Sequence, residues 1–455
     1  MFPHLEKLSI RSCQELIALP EAPLLEEPLL LELFGGDYEK AHSAFPALKV
    51  LKLEGLKNFE RWELVGATQG GDTMFPRLEE LSIGDCPKMT ALPAGTSSLA
   101  PSVGRSDIKT RSAFPKLKKL MFGGLINFKS WGVMEAINGE QWMFPDLETV
   151  CIDGSPELTT LPEGPKLISL TILDGHQQIL AAIPRALLIH SIPPAEQGAF
   201  ELADNNNIKS PLTSLQLGRN CNLLFHSSAL ALWTCFVQLQ DLKFSFCDAL
   251  VYWPVEEFQS LVSLRNLVIW DCNNLIGYAP AAPGHPASER SQLLPNLESL
   301  DIWNCESLVE VFNVPASLKT MEVQDCPKLE SIFGKQQDKP ILLNQLPPSL
   351  REINISECNK LQLLSGQLDA LRTLEIRRCQ RLRSLESGSG ELQMLERLVL
   401  KDCESLAPFL PNEPQAYSSL RMLRIIGCPG IKSLPSSLQQ RLDNLEKKDL
   451  DARYE

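Results

Sequence analysis

Thirteen cysteines are the residues with the widest chemical range in this 455-residue chain. As thiolates, cysteines attack carbonyls and bind zinc; as pairs they form disulfides. Each use needs a particular spacing. Zinc sites are usually built from close ligand pairs, and no Cys-x-x-Cys occurs. A disulfide framework suits a short secreted chain with an even cysteine count. Here the chain is long, the count is odd, and the N-terminus lacks a basic segment followed by an apolar one. Reduced thiols are therefore the expectation. The six histidines, His4, His42, His176, His190, His226 and His285, are scattered without an H-E-x-x-H and read as solvated loop residues. There is no G-x-x-x-x-G-K-[ST] phosphate loop, because Gly334-Lys335-Gln336 lacks the hydroxyl residue and the upstream glycine. Neither G-x-G-x-x-G nor G-x-S-x-G is present. Glu256-Glu257 has no partner base and reads as a solvated pair. No catalytic residue, metal ligand or cofactor is assigned, and an enzyme is the least expected class.

What ten of the cysteines share is a frame. It opens as Leu5-x-x-Leu8-x-Ile10-x-x-Cys13-x-x-Leu16-x-x-Leu19-Pro20. It returns around Cys86, Cys247, Cys272, Cys305, Cys326, Cys358, Cys379, Cys403 and Cys428, while Asn220 takes the same place in the repeat starting at Leu212. Counting weaker copies gives 15 repeats with first leucines from Leu5 to Leu420, a mean period of about 30 residues. Spacings run from 21 to 45 residues, and Leu48–Leu117 and Leu78–Leu147 are both 69 apart, as a duplicated two-repeat block would be. This is the pattern of a leucine-rich repeat, whose consensus puts Asn or Cys at that position. A thiol there is small, apolar enough for a core, and a weak donor to nearby carbonyls. Cys151, Cys221 and Cys235 fall outside the column, and Cys151 lies on the outward strand phase, so it is expected to be the most exposed thiol.

The elements that position these residues follow from period. Leu-x-Ile alternation makes a short strand with one apolar face, and one repeat cannot bury that face alone. The expected fold is α/β, a leucine-rich-repeat solenoid (horseshoe) with a parallel sheet on the concave face and irregular loops or short helices on the convex face. Residues 1–436 are read as the array of about 15 repeats and 437–455 as a C-terminal cap or tail. Phe2-Pro3, Phe45-Pro46, Phe75-Pro76, Phe114-Pro115 and Phe144-Pro145 each precede a first leucine by three residues, with Phe packing beneath and Pro setting an extended approach. Cys86-Pro87, Cys326-Pro327 and Cys428-Pro429 stop the strand. Segments 21–44, 94–113, 132–143, 183–210 and 279–292 are expected loops, rich in Pro, Gly, Ser, Asn or charge.

Charge and hydropathy narrow the partners. The formal charge is −13, from 43 basic and 56 acidic residues, which argues against a nucleic-acid partner. No apolar run approaches the length of a membrane span, so membrane insertion is not expected. A protein partner would meet the outward strand positions. Among these, Trp270 and Trp303 occupy one column of adjacent repeats, about 5 Å apart, with Val268 and Asp301 beside them. Tryptophan is enriched at binding hot spots. Arg377, Arg397, Lys401 and Arg424 project from the last repeats and are read as a basic patch on an acidic protein. Alternatively, a loop from 279–292 covers the tryptophans, and the basic residues form an ordinary solvated face.

The repeat, the Phe-Pro approaches and the irregular spacing resemble the C-terminal leucine-rich-repeat region of plant nucleotide-binding disease-resistance proteins, of the coiled-coil type common in grasses. The tail Leu434-Pro435-Ser436-Ser437-Leu438 through Leu450-Asp451-Ala452-Arg453-Tyr454 is similar to that family's chain end. The resemblance covers essentially the whole chain. It implies a cytoplasmic, non-enzymatic recognition scaffold in innate immunity. Its partner would be a pathogen effector, a host guardee, or the nucleotide-binding module it restrains. That module and the N-terminal signalling domain are not in this sequence, which opens within a residue of a repeat. A fragment, a truncated gene product or a separately encoded repeat domain is expected, and nucleotide binding is not carried over. The alternative is the substrate-receptor arm of a ubiquitin ligase, since F-box proteins also carry cysteine-containing repeats; no F-box-like helical segment is visible. A receptor ectodomain would need many sequons, and Asn354-Ile355-Ser356 lies within an expected strand.

Overall fold

A computed structural model describes residues 4–19, 45–62, 75–92, 96–97, 110–111, 114–129, 131, 144–175, 177–187, 210–219, 221–225, 229–280, 292–332, 349–366, 370–387, 392–406 and 415–454. Most of the segments expected as loops, including 281–291, lie outside these residues. The chain divides into two compact units, Met1–Leu224 and Phe225–Glu455.

In the first unit seven parallel strands follow in chain order: β1 (Lys7–Arg11), β2 (Val50–Glu54), β3 (Glu80–Gly84), β4 (Lys119–Gly123), β5 (Thr149–Ser155), β6 (Ser169–Gly175) and β7 (Ser214–Leu217). The register puts frame on frame. Leu8, Leu51, Leu81, Leu120, Val150, Leu170 and Leu215 lie opposite one another, as do Ile10, Leu53, Ile83, Phe122, Ile152, Ile172 and Leu217. From β2 onward each of these side chains is at most 2% exposed. Burial of that kind contributes roughly 1.5–3 kcal/mol per side chain, and almost all of it comes from neighbouring repeats.

Where they are described, the phenylalanines of the Phe-Pro approaches pack inside as expected, but each proline stands in a turn rather than in an extended approach. The amides of Leu48, Leu78, Leu117 and Leu147 donate to the carbonyls of Phe45, Phe75, Phe114 and Phe144, which fixes the three-residue spacing. The four rings stack in a row, with centroids 6.1, 5.8 and 6.0 Å apart.

Among the described residues of the second unit, the main sheet holds nine parallel strands: β8 (Asp241–Ser245), β9 (Asn266–Trp270), β10 (Ser299–Trp303), β11 (Thr320–Gln324), β12 (Glu352–Ser356), β13 (Thr373–Arg377), β14 (Arg397–Lys401), β15 (Met422–Ile426) and β16 (Lys447–Leu450). β16 lies in the tail and pairs with β15, with Arg424 opposite Asp449. The return paths carry short helices, Leu230–Trp233, Val255–Ser260 and Ser436–Gln439, and a second small parallel ladder, Leu363–Gly366 with Ser384–Ser387. Among the described residues no helix is long and apolar enough to cross a membrane.

Two local devices explain the rest of the frame. The residue before the cysteine position is left-handed: φ is 50° at Asp85, 53° at Asp271, 54° at Asn304 and 51° at Asp325, and glycine holds the place at Gly55, Gly124 and Gly427. Asn, Asp and Gly tolerate that conformation best. Phe246, Glu357 and Arg378 adopt it without that aptitude. The chain then turns so that, in most repeats, the amide three residues after the cysteine donates to the cysteine carbonyl, as in Met89 to Cys86 and Leu275 to Cys272, both 3.1 Å. That turn is the physical content of Cys-x-x-Leu.

Candidate protein-recognition face

Most of the cysteine column is packed inside. Cys86, Cys272, Cys305, Cys326, Cys358, Cys379, Cys403 and Cys428 are buried. Each sulfur lies 3.3–3.6 Å from the carbonyl oxygen two residues back, at the strand end. Cys358, Cys379 and Cys403 also reach the previous repeat, at Val323, Ile355 and Ile376. Burial pushes Cys272 up to about 12 and Cys379 up to about 11. Hydrogen bonding to Cys326 and burial raise Cys305 further. Thiols held protonated are poor nucleophiles and poor metal ligands.

Three expectations about the cysteines fail. Cys13, a column member, is exposed, because β1 has a neighbouring strand on one side only among the described residues. Cys151 is half-buried rather than the most exposed thiol: it sits in register between Met121 and Thr171, and burial raises it. Cys221 and Cys247 are half-cystines, not free thiols. Cys221 falls one residue past the ladder position, in a 3-10 turn that buries it. At the ladder position of β5 stands Ser155, fully buried, its hydroxyl without a partner among the described residues. His4 is exposed, and the other five histidines lie outside the described residues.

The second unit brings the tryptophans together. Trp270 and Trp303 are directly opposite on β9 and β10, both partly exposed. Phe246 approaches Trp270 with ring centroids 5.2 Å apart, and Lys243 Nζ stands 5.2 Å from the Trp270 ring centre. The Trp303 Nε1 is buried, with no acceptor among the described residues. One column over, Val268, Asp301, Glu322, Asn354 and Glu375 follow across β9 to β13. Asp301 is pushed up to about 6, by burial first and by the Glu322 carboxylate second. Burial and Glu375 raise Glu322, with Arg377 acting the other way. Asn354 Nδ2 donates to Glu322 Oε1 at 3.3 Å. Glu322, Asn354 and Lys243 were not singled out from sequence, although extending the Val268–Asp301 column along the frame reaches all three.

The basic residues of the last repeats stand in ion pairs. Arg377 and Arg397 both bind Glu375, whose side chain is 11% exposed. Arg424 binds Asp449 of β16 at 2.8 Å, and Lys401 lies 3.9 Å from Asp402. Nearby, Arg372 pairs with Glu396 and Arg378 with Glu357. Arg424 and Asp449 are in-register partners, whereas Glu375 meets Arg377 two residues along its own strand and Arg397 on the diagonal of the next, so these acids compensate the cations.

No protein-family model matches the chain, and no curated protein sequence does. Among solved structures, the leucine-rich-repeat domain of the type III effector XopL is similar over 52% of this chain and 76% of that one, at 23% identity and a TM-score of 0.36. The circular leucine-rich-repeat protein CroV588 aligns over 89% of this chain and 66% of its own, at 14% identity and 0.27. YopM from Yersinia enterocolitica aligns over 99% and 87%, at 15% identity and 0.20. These are likenesses of fold alone. Frame, register and parallel ladders make the fold a leucine-rich-repeat solenoid.

Proposed function

We propose that this chain is a protein-recognition scaffold of plant innate immunity. It binds a pathogen effector or host guardee, or restrains a nucleotide-binding module, through the outward face of its strands. The observation that carries the reading is the side-by-side, partly exposed Trp270 and Trp303 on an otherwise regular ladder. Rigid strands hold the two indoles in place, and flanking positions are free to vary. The plant role rests on the resemblance of the repeat and tail. Action in the cytoplasm fits the eleven free cysteines, while the half-cystines Cys221 and Cys247 weigh against it. The substrate-receptor arm of a ubiquitin ligase is the second reading, favoured by the buried cysteine column. A pairwise binding screen against nucleotide-binding modules, F-box adaptor subunits and secreted pathogen proteins separates the two. A binder lost on Trp270→Ala with Trp303→Ala, at unchanged circular dichroism, supports the face. Binders indifferent to both substitutions remove it.

A further inference from the structure

The outward face of the second unit is uneven in charge. Lys243 lies by Trp270, Glu375 is held by two arginines, and Arg424 is held by Asp449. Asp301 and Glu322 differ. They are opposite each other on β10 and β11, half-buried, and among the described residues no ion pair holds either. The Glu322 carboxylate makes Asp301 harder to ionise. Beside them stand the two indoles.

Two carboxylates next to two aromatic faces suit a single ligand chemistry. An apolar partner would bury both carboxylates unpaired, and an anionic one would be repelled. A guanidinium stacks on indole and binds carboxylate through a planar fork. We propose that Asp301, Glu322, Trp270 and Trp303 form a receptor for a cationic side chain of a partner protein, arginine above lysine. The assignment rests on the recognition reading above and names the partner's chemistry.

The test is titration calorimetry with a Gly-Arg-Gly-Arg-Gly-Arg peptide, beside its citrulline, lysine and glutamate counterparts. The arginine peptide should bind at least 10-fold tighter than citrulline and tighter than lysine. Asp301→Asn with Glu322→Gln, nearly isosteric and checked by circular dichroism, should lose at least 10-fold. Glu352→Gln, an exposed acid on the same unit, should change affinity less than 2-fold. Equal binding of citrulline overturns the assignment, as does tighter binding of glutamate or an equal loss from Glu352→Gln. Sedimentation showing a dimer that excludes the peptide gives the face to a second copy and also overturns it. If a protein partner still depends on both tryptophans while the arginine peptide fails, the cation receptor falls and the recognition reading stands.

Discussion

Asp301 is a carboxylate kept where ionisation is unfavourable, and the sign of its effect on stability follows. Its folded value, about 6, lies above the ordinary 3.8, so the native state binds the proton more tightly than the unfolded chain. Its contribution turns unfavourable as pH rises from about 4 to about 6 and stays so above that. Asp301→Asn should therefore raise the melting temperature at pH 7.5 and leave it nearly unchanged at pH 4. Thermal melts at both values check this; an equal gain at both would assign the effect to something other than charge. Ser155 invites a second test. It occupies a cysteine position with a fully buried hydroxyl that has no partner among the described residues. Ser155→Cys should stabilise by about 1 kcal/mol in urea unfolding, since an unmade hydroxyl bond costs more than an unmade thiol bond.

At the level of the element, what could be read in advance was whatever the frame repeats. The strand positions, the Phe-Pro approaches and the inward columns follow from Leu-x-Ile alternation with the Phe and Cys offsets. What the frame does not encode was missed. The balance of Arg377 and Arg397 on Glu375 depends on a neighbour two positions along β13 and a diagonal contact to β14, 22 positions away in sequence, and the frame specifies neither. β16 was missed because Lys447-Lys448-Asp449-Leu450 has too few apolar residues to announce a strand; the open edge of β15 supplies the pairing instead. The stacked phenylalanines give a packing prediction. Phe114, fully buried between Phe75 and Phe144, should cost about 3–5 kcal/mol when replaced by alanine, measured by urea unfolding. Lys401→Ala, on a 3.9 Å exposed contact, should fall within about 0.5 kcal/mol of the parent.

At the scale of the whole molecule, stability is a sum over neighbours, so edges matter. Removing residues 437–455 would strip β16 from β15 and leave Arg424 without Asp449. The shortened chain should associate through the uncovered strand and elute earlier in size-exclusion chromatography than the full chain. The buried cysteines have a further use. From Cys272 to Cys428, the repeats of the second unit carry one protected sulfur each. A thiol reagent in excess reaches a sulfur only after its own repeat has opened. Modification measured peptide by peptide thus times the opening of individual repeats. The column is a set of internal clocks, one per turn of the solenoid, showing from which end the chain comes apart.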